Sequence, residues 1–351
     1  MSRARLWTIA VGLTALLGCG GGGSPTTPRT PPPADNPAEP QPSPGPHVVT
    51  GTLVDATTGA PAPAVSFTVN GTLVGRSSAG TFSVGFPATG TNRTVLTADS
   101  FVTRETGISA PGSNLQLSLI PSSFDLASFN QMFRHSSSGL TRWTNPPALV
   151  LERRVVQFTQ VCQSSYETID ETIDDAESEA ILRDMRDGYE LLTAGRVGPL
   201  TSVATQTSPA GAAFAPRRDR TIVVMRGEGL QKATTFWGYA CWSTSADGEV
   251  TAGFIILDND FEQSTNSSLS QFHRSLRMHE LGHTLGCQHV TTGRTSVMNS
   301  DARTEPNDFD QQAARIATLR PTGNRTPDVD PAAHIAASLA ASRAVTWHGA
   351  H

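Results

Sequence analysis

Residues 278–289 read Met-His-Glu-Leu-Gly-His-Thr-Leu-Gly-Cys-Gln-His. His279 and His283 are four residues apart, so on a helix they stand one turn apart on the same face. Two imidazoles so placed can share one tetrahedral zinc ion. Glu280 is offset by one residue and flanks such a metal, a position suited to a base acting on a water that the metal polarises. His289 needs a separate argument. It lies ten residues past His279, about 15 Å along a continuing helix, too far to join the same ion. The helix must therefore end and the chain must turn back. Gly286 is where this can happen, because glycine takes the left-handed conformation of a helix C-terminus without steric cost.

Met298 follows within the run Ser296-Val297-Met298-Asn299. His-Glu-x-x-His-x-x-Gly-x-x-His with a methionine shortly after resembles the signature of the metzincin zinc metallopeptidases, the methionine corresponding to their Met-turn. The resemblance implies a twisted sheet with an active-site helix beneath a cleft, and one catalytic zinc at the cleft base above Met298. It implies a peptide strand pairing with the sheet edge, for which Gly253–Leu257 is the candidate, and a side-chain pocket lined by Val290–Val297. Three neutral imidazoles leave the ion its full charge, which lowers the pKa of a bound water, and Glu280 serves as general base. The sequence departs from some family patterns. No tyrosine closely follows Met298, and no cysteine-switch motif is present. Leu257-Asp258-Asn259-Asp260 reads as a turn after a strand rather than a calcium loop.

Other histidines (His47, His135, His273, His334, His348 and His351) show no ligand spacing, and His273 reads as a surface residue. Four cysteines are present: Cys19, Cys162, Cys241 and Cys287. Outside the cytoplasm a pair should oxidise. Cys162 with Cys241 is the expected pair and Cys287 the small buried hydrophobe, although sequence alone leaves the pairing open. Asn70, Asn92, Asn266 and Asn324 fit glycosylation sequons, read here as coincidental.

The elements that would position this site can be read from periodicity. FDLASFNQMF (124–133) predicts a short amphipathic helix and 148–158 a strand. Ile181, Met185, Tyr189 and Leu192 recur at helical spacing and predict a helix over about 174–194. Thr221–Met225 and Gly253–Leu257 are apolar runs of strand length. A metal-bearing helix is expected over 270–285. Another is expected over 308–319, capped by Asn307 or Asp308 and stopped by Pro321. Mixed strands and helices give an α+β class for residues 121–325. Residues 326–351 read as a loose tail, with a short helix in 332–343.

Upstream, 48–120 alternates apolar and polar residues between Gly and Pro turns, which predicts a small β-sandwich. GTLVDATTGAP at 51–61, with Gly80-Thr81-Phe82, resembles carboxypeptidase-regulatory-like domains. Residues 19–47 are Gly- and Pro-rich and cannot bury a core, so they read as a tether. Residues 1–18 carry Arg3 and Arg5 before the short apolar stretch Leu6–Leu17, the pattern of a signal peptide. Leu16-Leu17-Gly18-Cys19 resembles a bacterial lipobox, which implies lipidation of Cys19, and Gly20 after it points to the outer membrane or cell surface. A net charge of −5 gives no basic footprint, so nucleic acid is not an expected partner. Together these features predict a lipid-anchored zinc endopeptidase acting on protein or peptide. The alternative is a surface binding or adhesion lipoprotein that uses the β-domain, its metal site secondary.

Overall fold

Regular alternation of apolar residues with Gly turns builds seven strands in the first part of the chain: β1 (His47–Asp55), β2 (Ser66–Val69), β3 (Thr72–Arg76), β4 (Thr81–Phe86), β5 (Gly90–Thr97), β6 (Arg104–Ala110) and β7 (Gly112–Leu119). A computed structural model describes residues 45–135, 139–332 and 345–351. Cys19, the signal-like segment, nearly all of the tether and nearly all of the helix expected in 332–343 lie outside the described residues. The seven strands form two sheets, ordered β4-β1-β7 and β3-β2-β5-β6. The sheets share one core that includes Val49, Phe67, Phe82, Leu96, Ile108 and Leu119. Phe67 of one sheet meets Phe82 of the other with ring centroids 5.0 Å apart.

The remainder is mixed α and β, with more sheet than helix. In chain order it contains α1 (Leu126–Phe133), β8 (Arg134–His135), β9 (Gly139–Leu140), β10 (Ala148–Glu152), β11 (Arg154–Gln157), β12 (Tyr166–Thr172), α2 (Asp175–Leu192), β13 (Val203–Gln206), β14 (Ala213–Phe214) and β15 (Thr221–Glu228). Then follow α3 (Leu230–Thr234), β16 (Gly238–Ser245), β17 (Val250–Asp258), α4 (Asn259–Glu262), α5 (Ser267–Ser270), α6 (His273–Thr284), α7 (Asp308–Thr318) and β18 (Val345–Ala350). The main sheet runs β14-β12-β11-β15-β17-β16-β18, with β10 also pairing β15 and β13. Its centre is parallel (β11, β15, β17), and β16 and β18 add antiparallel. β17 is buried along almost its whole length, as expected for a strand covered on both faces.

Two expectations are corrected here. Gly253–Leu257 is not the sheet edge: it lies within β17, hydrogen-bonded to β15 on one side and β16 on the other. An uninterrupted apolar run belongs in the sheet interior because both its faces are buried. The segment after 325 is not a loose tail among the described residues. Asp328 and Asp330 are buried against Arg320, Arg104 and Arg134. Arg320, just past α7, also donates to Ser118 of β7, which ties the β-rich part to the end of α7. Farther on, Val345–Ala350 forms β18 on the outer side of β16. Among the described residues no helix is long and apolar enough to cross a membrane.

Candidate metal centre

Helix α6 is buried at every position from Ser275 to Thr284, yet its sequence is polar. Such a helix is tolerable only if each buried polar group finds a partner. Most do. Arg277 pairs with Asp184 of α2 at 2.8 Å and with Glu262 of α4. Ser275 donates to the Ala302 carbonyl at 2.8 Å and Thr284 to Leu281 at 2.8 Å. Trp143 donates its indole N–H to the Thr284 carbonyl at 2.8 Å, holding the end of the helix.

The end of α6 has the bonding pattern of a Schellman motif. Cys287 N–H bonds Gly282 O at 3.0 Å and Gly286 N–H bonds His283 O at 3.0 Å. Gly286 has φ +96°, and a Cβ there would stand 2.9 Å from the Thr141 carbonyl oxygen. Cys287, fully buried and free, fills the apolar position after the turn. The chain then reverses and brings His289 back onto the helix. Cys162 and Cys241 form the disulfide.

The three histidines converge. Their Nε2 atoms are 3.1 Å (His279–His283), 3.2 Å (His283–His289) and 3.3 Å (His279–His289) apart. The Nδ1 of His279 lies 2.7 Å from Val297 O, and that of His283 lies 2.9 Å from Cys287 O. A carbonyl can only accept, so both Nδ1 atoms carry the proton and the corresponding Nε2 atoms present lone pairs. The His289 ring lies edge-on to that of His351, with centroids 6.0 Å apart. Lone pairs crowded at this distance repel unless a cation lies among them. A tetrahedral ion with metal–nitrogen bonds of about 2.0–2.1 Å places its ligand nitrogens roughly 3.3–3.4 Å apart, so the donor set fits one. Among the described residues this is the group able to hold a metal ion.

Burial acts in the same direction. It pushes His279 down to about 4, and it lowers His283 and His289 as well, so all three imidazoles are neutral ligands at neutral pH. Glu280 is 1% exposed, and its Oε2 has no hydrogen-bond partner. Burial raises its pKa well above the ordinary carboxyl value. A carboxyl in such surroundings ionises only if a cation lies beside it. On α6 the Nε2 lone pairs of His279 and His283 and the Oε2 of Glu280 are thus left without a protein hydrogen-bond donor.

Neighbouring elements set this geometry. Gly238 of β16 passes so close to Glu280 that a Cβ there would lie 2.6 Å from Oε1. Trp242 of β16 lies parallel to His283, with centroids 6.0 Å and planes 8° apart. Met298 is fully buried, its sulfur against Gly282 of α6. Asp310 of α7 accepts from Ser296 Oγ, Val297 N and Asn307 N, which fixes the loop whose Val297 carbonyl holds His279.

Of the residues that the sequence reading singles out, the structure brings the rings of His279, His283 and His289 together; Glu280 lines the neighbouring cavity, Gly286 forms the turn after α6, and Met298 packs against Gly282 of α6. It passed over Gly238, Trp242, Asp310 and His351. Asn307-x-x-Asp310 forms a capping box in the structure, a spacing that could have drawn attention to Asp310, but its hold on the 296–297 loop is visible only in three dimensions. His273 is half-buried and bonds the Phe261 carbonyl at 2.8 Å, so it is not a plain surface residue. Asp258 caps α4 and accepts from Gln231 N, consistent with a turn rather than a calcium ligand. The cavity that reaches Glu280, about 240 Å³, is walled by Thr235–Gly238, Leu276 and Ser300–Arg303. Val290–Thr295 instead line a separate, more open hollow beside it.

No family model matches the chain, and no curated protein is similar to it. Among solved structures, a Bacteroides fragilis protein described as membrane-associated and of unknown function aligns at 17% identity, over 43% of this chain and 45% of that one, with a TM-score of 0.15. The alignment spans less than half of that protein, and nothing about this chain is inferred from it.

Proposed function

We propose that the protein is a zinc-dependent endopeptidase of metzincin type. The observation that carries this reading is the convergence of the three Nε2 atoms, two with their Nδ1 protons committed to carbonyls, on a helix that also buries Glu280 with its Oε2 lacking a hydrogen-bond partner. His279, His283 and His289 hold the ion. When bound, the ion supplies Lewis acidity, which acidifies a water and polarises the scissile carbonyl. Glu280 takes the proton of that water on its carboxylate and delivers it to the leaving nitrogen. Low exposure of the site keeps bulk water away from this transfer.

The remaining contacts orient the substrate. β16 is the strand nearest the metal, and its outer edge suits an extended polypeptide added antiparallel. The cavity beside Glu280 accepts one substrate side chain between Trp237, Leu276 and Ala302, with Arg303 at its rim. Placement of α6 beneath β16 and β17 supports the metzincin resemblance. In this reading Cys19 carries a lipid and the tether holds the enzyme at the bacterial surface.

The test is hydrolysis of an unfolded protein substrate by the zinc-loaded chain. Cleavage should stop with a chelator. It should fall roughly 10²–10⁴-fold in Glu280→Gln, the range for removing a general base, while zinc stays bound. A zinc-loaded chain that cleaves no peptide bond would overturn the reading.

A further inference from the structure

β18 lies where a substrate strand belongs. It pairs antiparallel with β16 over six residues, from Val345 opposite Ser245 to Ala350 opposite Ala240. It runs toward the metal: His351 reaches His289, with ring centroids 6.0 Å apart, and lines the same cavity as Glu280. Its ring also stacks on Phe236, 3.4 Å away.

The strand is held as a bound peptide is held. None of its six residues is buried, and Val345 is 53% exposed. β17, by contrast, is buried at nearly every position. The attachments of β18 are its backbone ladder and a few side-chain contacts. Trp347 packs near Phe254 and lies under Arg217, and His348 stacks on Trp242 and meets Thr244 Oγ1 at 2.8 Å. Gly349 crosses the Cys162–Cys241 disulfide so closely that a Cβ would lie 2.7 Å from Cys162 Sγ and 2.7 Å from the Tyr239 hydroxyl. Only Trp347 and Ala350 pack part of their surface against the core; the continuous attachment is main-chain pairing, the usual basis of affinity when a peptide adds to a sheet edge.

We infer that Val345–His351 is a built-in competitor: it occupies the substrate groove along β16, and an extended polypeptide reaches the metal only once this segment leaves. This rests on the endopeptidase reading for its consequence, but not for the occupancy. The segment is the chain's own, so substrate must compete with a tethered strand at high effective concentration.

The experiment compares three zinc-loaded proteins: the full chain, a chain cut before Val345, and the full-length Gly349→Val, in which the side chain collides with the disulfide and lifts the strand without shortening the protein. The probe is the fluorescently labelled peptide VTWHGAH. It should bind the shortened chain and Gly349→Val saturably and the full chain at least tenfold more weakly. Cleavage of a quenched peptide pool should rise at least tenfold in kcat/KM in both variants and fall competitively when VTWHGAH is added. Equal peptide binding, or none, across all three proteins overturns the inference even if every form cleaves. If the probe binds as expected and no form cleaves, the occupancy stands and the endopeptidase reading fails.

Discussion

Met298 sits where Gly282 leaves room for it: a methyl group built on Gly282 would lie 2.4 Å from the Met298 sulfur and 3.3 Å from its Cε. The glycine belongs to the helix that carries His279 and His283, so the thioether packs directly against that helix. Gly282→Ala should therefore destabilise the fold by about 1–3 kcal/mol, the usual cost of overpacking, despite alanine's better helix propensity. In a Met298→Ala background the same change should cost little or become favourable. Chemical denaturation of the four proteins of this double-mutant cycle measures the coupling. Equal penalties in both backgrounds would mean that the two residues do not support each other.

Gly286 carries the turn that returns His289 to the helix. Its φ of +96° and the nearby Thr141 carbonyl both disfavour a side chain. Gly286→Ala should lower stability by about 1–3 kcal/mol. It should also weaken metal binding, because the third imidazole shifts. Thermal melts with and without zinc separate the two effects: the stabilisation on adding zinc should shrink relative to the unmodified chain.

Gly238 tests the base independently of the metal. A methyl group there would press on the Glu280 carboxylate at 2.6 Å. Gly238→Ala should reduce kcat by at least about tenfold, since small misplacements of a catalytic group are costly. Zinc content should not change. Loss of zinc in this variant would show that Gly238 serves the fold rather than the position of Glu280.

Acid should release the metal and destabilise the protein over one pH window. Burial lowers all three histidines, His279 from 6.5 to about 4. Between those values the unfolded chain binds more protons than the folded one, so unfolding free energy falls as pH falls. The contribution is fully present above about pH 6.5 and is lost progressively toward pH 4, and protons compete with the metal for the same nitrogens. Zinc content measured from pH 7.5 to 4 should fall, and the gain in melting temperature on adding zinc should shrink with it, the comparison with the metal-free chain cancelling the opposite contribution of Glu280, whose buried carboxyl is raised. Zinc content that stays constant through this range would contradict the buried neutral imidazoles as its ligands.

The contrast between what was legible and what was not follows from sequence distance. His279, Glu280, His283, Gly286 and His289 are ordered by helix geometry and one turn, which are local, so their spacing already described the site. The same holds for α2 and α7, whose apolar faces and caps lie within one element. Strand order is non-local. β16 reads GYACWSTS and β18 reads VTWHGA, both without a long apolar run, and their pairing of Trp242 with His348 joins distant segments. The apolar run of β17 suits an interior strand, paired on both sides, and not an accessible edge. Trp242 stacks on His283 across the fold with no motif to mark it, and the capping-box spacing at Asp310 points to a helix start, not to the loop that holds His279.

The central claim is that three imidazole nitrogens bind one ion. Elemental analysis of the purified chain after dialysis against trace zinc, set beside His289→Ala, addresses it most directly. One zinc per chain that falls to near zero in His289→Ala, with the fold retained by circular dichroism, is the predicted result. A folded chain without stoichiometric metal, or a variant that keeps its zinc, would contradict the account.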